Sequence, residues 1–282
     1  MTGWTRVRSR RAFLRDLGHG AFALTVIGLA GCARDAPSSF GAPGSPAALA
    51  TFDPLTYVGN LDEIESFWCE HEVPAAPPIQ GWDAGEEVPR GWARIGDRRA
   101  AGYVLVRGGE ATVVDTGPWC VPDVIEGALK AVGLDWSAVG SVIVTHKHPD
   151  HWVGLSTALG RATDAAVFAG AADIPHIGSP RPIVAVGAGD RVMDLAIIPT
   201  PGHTPGHIAV HDEAAGVLVV GDAINYGEGE GFVLLGTSED VPETRASFDI
   251  LAGLSFDTIL GGHGDPIIGG AREKLAAYLA GA

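Results

Sequence analysis

Short apolar runs rich in β-branched residues recur along the chain, each followed by a cluster of Gly, Pro, Asp or His. Ser141 to Thr145 (SVIVT) is the clearest, with apolar side chains on consecutive rather than alternate positions, the pattern of a strand covered on both faces. It predicts a central strand. The stretch Trp152 to Leu159 that follows is apolar enough to form a helix. Upstream, Tyr103 to Arg107 and Ala111 to Asp115 flank a Gly-containing turn and predict a hairpin ending in aspartate. A helix-like segment from Val121 to Val132 comes next, closed by Gly133-Leu134. The same order returns in the second half. Ile208 to His211 and Val217 to Asp222 form the hairpin, Val241 to Ala252 the helix, Gly253-Leu254 its close, and a strand then ends near His263, as the first copy ends near His146. The pattern describes an α/β chain that writes one hairpin, helix and strand unit twice.

The turn after SVIVT carries the first concentrated chemistry. Thr145-His146-Lys147-His148-Pro149-Asp150-His151 contains a HxHxDH motif, four metal-competent side chains within six residues, placed between strand and helix where they can converge on one point. Downstream come Pro201-Gly202-His203-Thr204-Pro205-Gly206-His207, then Val219-Val220-Gly221-Asp222-Ala223, then Gly261-Gly262-His263-Gly264-Asp265-Pro266. Each candidate ligand lies just beyond an apolar, strand-like run. Neutral imidazoles and carboxylates suit zinc, and three protein ligands per ion leave a position open for water. Bound zinc lowers the pKa of that water to about 7, giving hydroxide at neutral pH, and two ions about 3.5 to 4 Å apart can hold nucleophile and substrate oxygen together.

These motifs, in this order, resemble the metallo-β-lactamase superfamily over about residues 95 to 275. The resemblance implies a single-domain αββα sandwich, two mixed sheets flanked by helices, with the metals at one edge of the sheets. The internal duplication fits that fold. Residue by residue, it implies His146, His148 and His203 as ligands of a first ion, Asp150, His151 and His263 as ligands of a second, and Asp222 as a bridge between them. Two zinc ions are the expected cofactors, with iron or manganese as alternatives. Asp115, in Val113-Val114-Asp115-Thr116-Gly117, is expected to hold a ligand in place rather than to bind metal. Asp150, beside the hydroxide, is the candidate to orient it and to pass its proton to the leaving group. Tyr226, four residues after Asp222, is a candidate phenol near the substrate oxygen, as in some lactonases of the superfamily, although the spacing is not a clean match.

The N-terminus follows a different pattern. Arg6, Arg8, Arg10, Arg11 and Arg15 precede an apolar run from Ala21 to Ala30, with Ser9-Arg10-Arg11-Ala12-Phe13-Leu14 at its head, the form of a twin-arginine export signal. The run is about ten residues, half of the roughly 20 a membrane-spanning helix needs. It ends in Leu29-Ala30-Gly31-Cys32, which resembles a bacterial lipoprotein processing site that leaves Cys32 lipidated; an ordinary signal with an incidental cysteine is the alternative. The expected organisation is a signal over residues 1–31, a flexible tether over 32–52 and a hydrolase domain over 53–282, held at the cell envelope by a lipid anchor. With 46% hydrophobic residues the 282-residue chain has material for a sizeable core. Loss of residues 1–31 removes five arginines and one aspartate, leaving 14 basic and 33 acidic residues, a formal charge of −19. So acidic a body repels nucleic acid, which disfavours a nuclease. Cys69 and Cys120 remain, their pairing left open, and the lack of a CxxC pattern excludes zinc-finger and thioredoxin chemistry.

Of ten histidines, five are assigned to metal. His207 and His211 are expected to be hydrogen-bonded structural residues, and His71 and His176 to lie exposed in loops. Phe67 to Trp92, with three tryptophans, reads equally as a lid over the metals or as a strap over a sheet edge. Trp119 and Trp152 follow Asp115 and His151 closely, so either is a candidate pocket wall, with core packing the default.

Fold does not fix substrate. The resemblance narrows it: Asp222 stands where cysteine-bearing zinc β-lactamases place a thiolate, and the all-histidine branch lacks this carboxylate. That points to the branch of glyoxalase-II-like thioesterases, lactonases and phosphodiesterases. The 19 residues after His263 leave no room for glyoxalase II's helical substrate domain, and His148 replaces the glutamate of flavodiiron reductases. Export excludes coenzyme A thioesters. The expected substrate is a neutral or weakly charged ester-like small molecule, a lactone first. The alternatives are a thioesterase or β-lactamase-like hydrolase, a mononuclear-iron persulfide dioxygenase, a phosphodiesterase or nuclease, and an inactive metal-binding surface lipoprotein.

Overall fold

A computed structural model describes residues 91–96, 100–117, 121–227, 231–233 and 237–281. The expected signal, tether and Cys32 anchor, most of the Phe67 to Trp92 segment, Trp119 and the Cys69 and Cys120 pair lie outside them. Among the described residues no helix is long and apolar enough to cross a membrane.

The first half comprises β1 (Trp92–Gly96), β2 (Ala101–Arg107), β3 (Glu110–Val114), α1 (Val121–Ala131), β4 (Val139–Val144), α2 (Pro149–Trp152), α3 (Leu155–Arg161), β5 (Ala166–Gly170) and β6 (Ile183–Val186). Its six strands lie side by side in chain order, antiparallel from β1 to β3 and parallel from β3 to β6. The second half comprises β7 (Arg191–Val192), β8 (Leu195–Pro199), β9 (Ile208–Asp212), β10 (Val217–Gly221), β11 (Asn225–Gly227), β12 (Gly231–Val233), α4 (Val241–Ala252), β13 (Thr258–Gly261) and α5 (Ala271–Gly281). Its main sheet runs β13-β10-β9-β8-β7, parallel only between β10 and β13, while β11 and β12 form a separate small ribbon.

The period of two along each strand sorts side chains into three apolar layers. Val104, Val113, Val142 and Val167 pack outward on Ile125 and Leu129 of α1 and Leu155 and Leu159 of α3. Tyr103, Leu105, Val114 and Ile143 point the other way, against Ile208, Val210, Val217 and Val219 of the second sheet. Ala209, Leu218 and Val220 face outward again, onto Phe248 and Leu251 of α4 and Leu275 of α5. The result is helix, sheet, sheet, helix, the predicted αββα sandwich. Because both faces of the central strands are covered, slipping the register by one residue would exchange every side chain between two layers, so the pairing is strongly specified.

The duplication is real in topology: hairpin β2-β3, α1 and parallel β4 match hairpin β9-β10, α4 and parallel β13. One element differs from the sequence pattern. The helix expected over Trp152 to Leu159 is two helices, α2 and α3, broken at Val153-Gly154. Gly154 donates its N–H to the Gly117 carbonyl at 3.1 Å, and a Cβ there would meet the Thr116 carbonyl oxygen at 2.6 Å. The chain bends toward the 116–117 loop at the one residue small enough to allow it.

Candidate metal centre

The HxHxDH turn and the three later motifs meet at one edge of the sandwich, each just past a strand end. His146 and His148 follow β4, His203 follows β8, Asp222 follows β10 and His263 follows β13, while Asp150 and His151 sit on α2. Pro149 explains the sharp turn between them. A residue before proline is driven to extended backbone, and His148 has φ −69° and ψ 139°, while Pro149 itself opens α2 where no helical N–H is needed.

Two groups result. His146, His148, His203 and Asp222 form one, Asp150, His151 and His263 the other, with the donor atoms in each within 4.8 Å of one another. In the first, His148 presents Nδ1, 3.0 Å from His146 Nε2 and 2.9 Å from His203 Nε2. Asp222 Oδ2 lies 3.4 Å from His203 Nε2 and 3.0 Å from His263 Nε2, and its Oδ1 lies 3.4 Å from His151 Nε2. One carboxylate thus stands between both groups. Asp150 Oδ2 is 3.3 Å from His263 Nε2 and 3.6 Å from His151 Nε2. The seven expected ligands are therefore all brought together.

Their supports come from neighbouring loops. Asp115 adopts φ 58°, a left-handed conformation that costs a non-glycine residue roughly 1–3 kcal/mol and is kept where surrounding structure enforces it. From there its Oδ2 pairs with His151 Nδ1 at 2.8 Å, and its two oxygens accept the Thr145 N–H at 2.7 Å and hydroxyl at 2.8 Å. Thr145 Oγ1 in turn lies 3.1 Å from His146 Nδ1, so one buried carboxylate is linked to a histidine of each group. Ser238 Oγ stands 3.3 Å from His203 Nδ1. Asn225 Oδ1 accepts the His263 N–H at 3.2 Å. Gly262 makes room: a Cβ there would fall 2.3 Å from Asp222 Oδ1 and 2.7 Å from His151 Cε1.

Burial dominates the electrostatics of the first group. It lowers the pKa of His146 and His148, and takes that of His203 down to about 4, leaving neutral imidazoles with free lone pairs at pH 7. In the second group burial works the same way but is outweighed. The carboxylates of Asp222, Asp150 and Asp115 raise His151, and Asp222 raises His263. Burial alone would raise Asp222 itself, yet His151 and His263 hold it well below the usual carboxylate range.

Both oxygens of Asp222, Oδ1 of Asp150 and Nε2 of His151 are buried without a hydrogen-bond partner. Such atoms cost about 1–3 kcal/mol each when left unsatisfied, and four at one point is not a stable resting arrangement for a core. Divalent cations between the two groups would satisfy those on Asp222 and His151, so the residues present fit a dinuclear centre.

Other expected residues take different places. His207 is structural but close: its Nδ1 lies 2.7 Å from Thr200 Oγ1 and its Nε2 accepts the Asp222 N–H at 3.1 Å, which fixes the Asp222 backbone. His211 is bonded to the Ser255 carbonyl, and His176 is exposed. Trp152 is core, not pocket wall; it packs in the first apolar layer and donates to the Lys147 carbonyl at 2.7 Å. The Tyr226 ring packs on Phe232, at 5.4 Å between centroids, and lies 5.7 Å from Lys274 Nζ, among the residues over α4 and α5. Sequence reasoning missed Asp173, Ser238 and Asn225, which carry no motif and act through hydrogen bonds to residues 26 or more positions away.

Comparison with known proteins agrees with this geometry. The chain is 35% identical over 120 residues to a hydroxyacylglutathione hydrolase of Cereibacter sphaeroides, covering 41% of this chain and 44% of that one. It is 37% identical over 134 residues to a hydroxyacylglutathione hydrolase of Alkalilimnicola ehrlichii, covering 46% and 48%. The chain spans about half the length of the curated relatives it matches. In fold it is similar to a metallo-beta-lactamase family protein of Thermus thermophilus, with a TM-score of 0.55, 23% identity, and coverage of 68% of this chain and 79% of that one. Residues 95–263, which run from the first strand to the last histidine of the centre, match the metallo-beta-lactamase superfamily, and the chain belongs to it.

Proposed function

We propose that this protein is a dinuclear zinc hydrolase that cleaves acyl bonds of the ester type in small molecules, thioesters first and lactones second. The observation that carries this reading is the set of buried, partnerless donor atoms on Asp222, Asp150 and His151, where the two histidine groups meet. His146 Nε2, His148 Nδ1 and His203 Nε2 would hold one ion, Asp150, His151 Nε2 and His263 Nε2 the other, and Asp222 both. The five imidazoles among the donors favour zinc over the harder, all-oxygen cations. When bound, such a pair polarises a substrate carbonyl and activates water at neutral pH.

The chain's own residues do the rest. Asp115 holds the His151 ring so that Nε2 faces the centre. Asp150, with Oδ1 buried and partnerless, takes a proton from the attacking water as the new C–O bond forms. It returns that proton to the sulfur or oxygen that leaves as the old bond breaks. One observation favours thioesters over the lactone preference drawn from sequence: the curated relatives are named for hydrolysis of hydroxyacylglutathione, a thioester. The shared half of those relatives supports the bond type, not the glutathione portion.

The test is turnover by the zinc-loaded protein on a panel of thioester, lactone, β-lactam and phosphodiester. Thioester is expected to turn over fastest, with activity lost on chelation and regained with zinc. Turnover confined to the β-lactam or phosphodiester, or activity that survives chelation, would overturn the assignment.

A further inference from the structure

We propose that Asp173 is a positioning residue for the first metal group, setting the geometry of His146, His148 and His203 through the backbone of their loops. The proposal rests on the dinuclear reading above. Asp173 lies past the end of β5, in a loop with no metal-ligand motif, yet its carboxylate is fully buried. Oδ2 accepts the Lys147 N–H at 2.9 Å and the Thr204 hydroxyl at 2.5 Å, and Oδ1 accepts the Gly206 N–H at 2.8 Å. Lys147 is the residue between His146 and His148, and Thr204 follows His203. One side chain therefore ties together the two loops that carry the three histidines.

The close approach is built in on both sides. A Cβ on Gly206 would stand 2.4 Å from the Asp173 nitrogen and 2.7 Å from its carboxyl carbon, and one on Gly170 would stand 1.9 Å from the Gly206 carbonyl oxygen. The Lys147 peptide is gripped from its other end as well, its carbonyl accepting the Trp152 indole N–H. Among the described residues no cationic side chain forms an ion pair with Asp173, so its carboxylate is satisfied by loop donors alone, beside the three-histidine group. Groups that orient metal ligands through hydrogen bonds typically change metal affinity 10–100-fold when altered.

Asp173→Asn keeps the volume but turns one acceptor into a donor, which must then face the Lys147 N–H or the Gly206 N–H. Zinc titration against a competing chelator, and the visible spectrum of the cobalt-substituted protein, read the two metal groups apart from activity. The expected result is a roughly 10–100-fold loss of affinity and an altered cobalt spectrum at the three-histidine group, with the Asp150, His151 and His263 group much less affected. Asp212→Asn is the control, since Asp212 is an equally buried carboxylate, bonded to the Trp92 indole at 2.9 Å and to Arg107, with no bond to a ligand loop. Thr204→Val removes one of the three bonds and should give a smaller shift of the same kind, which keeps the test open if Asp173→Asn does not fold. Equal weakening of both groups in step with melting temperature, as in the Asp212 control, or unchanged affinity and spectrum, would overturn the proposal. Failure of the unaltered protein to bind zinc would instead overturn the dinuclear reading on which it stands.

Discussion

Asp222→Ala is expected to leave the protein with fewer than two equivalents of zinc and without measurable hydrolysis. Among the described residues, Asp222 is the carboxylate within reach of His203, His151 and His263 together, at 3.0 to 3.4 Å. It is fully buried, and the histidines around it hold its pKa down, so it contributes a formal negative charge where both ions would sit. Removing one partner of a buried charge pair costs about 3–5 kcal/mol. At 1.4 kcal/mol per tenfold, that corresponds to a loss of roughly 10²- to 10⁴-fold in metal affinity. Metal content after dialysis measures it directly. Two retained equivalents and a normal rate would remove Asp222 from its bridging place.

Asp150→Asn separates metal holding from proton handling. The amide keeps the size of the side chain and one oxygen, but it cannot carry a proton between water and leaving group. The expected outcome is a fall in kcat of roughly 10²- to 10⁴-fold, the range that positioned general acid–base groups contribute, with KM little changed. Zinc in the three-histidine group should persist, since none of its ligands is touched. A fall that disappears when excess zinc is supplied would make Asp150 a ligand only, and an unchanged kcat would assign the proton to another group.

Much of this arrangement was legible in the chain because it is written in short-range pattern. Strand Val139–Val144, both hairpins and helices α1 and α4 follow from apolar spacing within windows of about ten residues. The candidate ligands were legible because each motif that carries them follows a strand, and those strand ends meet at one edge. What escaped depends on distance in space rather than spacing in sequence. Asp173 reaches residues 26 to 33 positions away, and nothing local marks it. For Tyr226, four residues beyond Asp222 fixes no side-chain direction; the ring contact with Phe232 follows from the pairing of β11 with β12. The break at Gly154 goes with a bond to the Gly117 carbonyl in a loop distant in sequence, which local pattern does not show.

The strand-end placement of the ligands also bears on how the sandwich resists heat. The first group draws His146 and His148 from one sheet and His203 and Asp222 from the other; the second draws Asp150 and His151 from beside the first sheet and His263 from the end of β13 in the other. Each ion would be a clasp across the seam, and pulling the sheets apart would release it. Unfolding is then linked to free metal: one site adds about 2.7 kcal/mol when free ion exceeds its dissociation constant a hundredfold, and nothing when ion is absent. If metal binds there, the edge of this fold would tie thermal stability to metal supply, with the melting temperature as its scale.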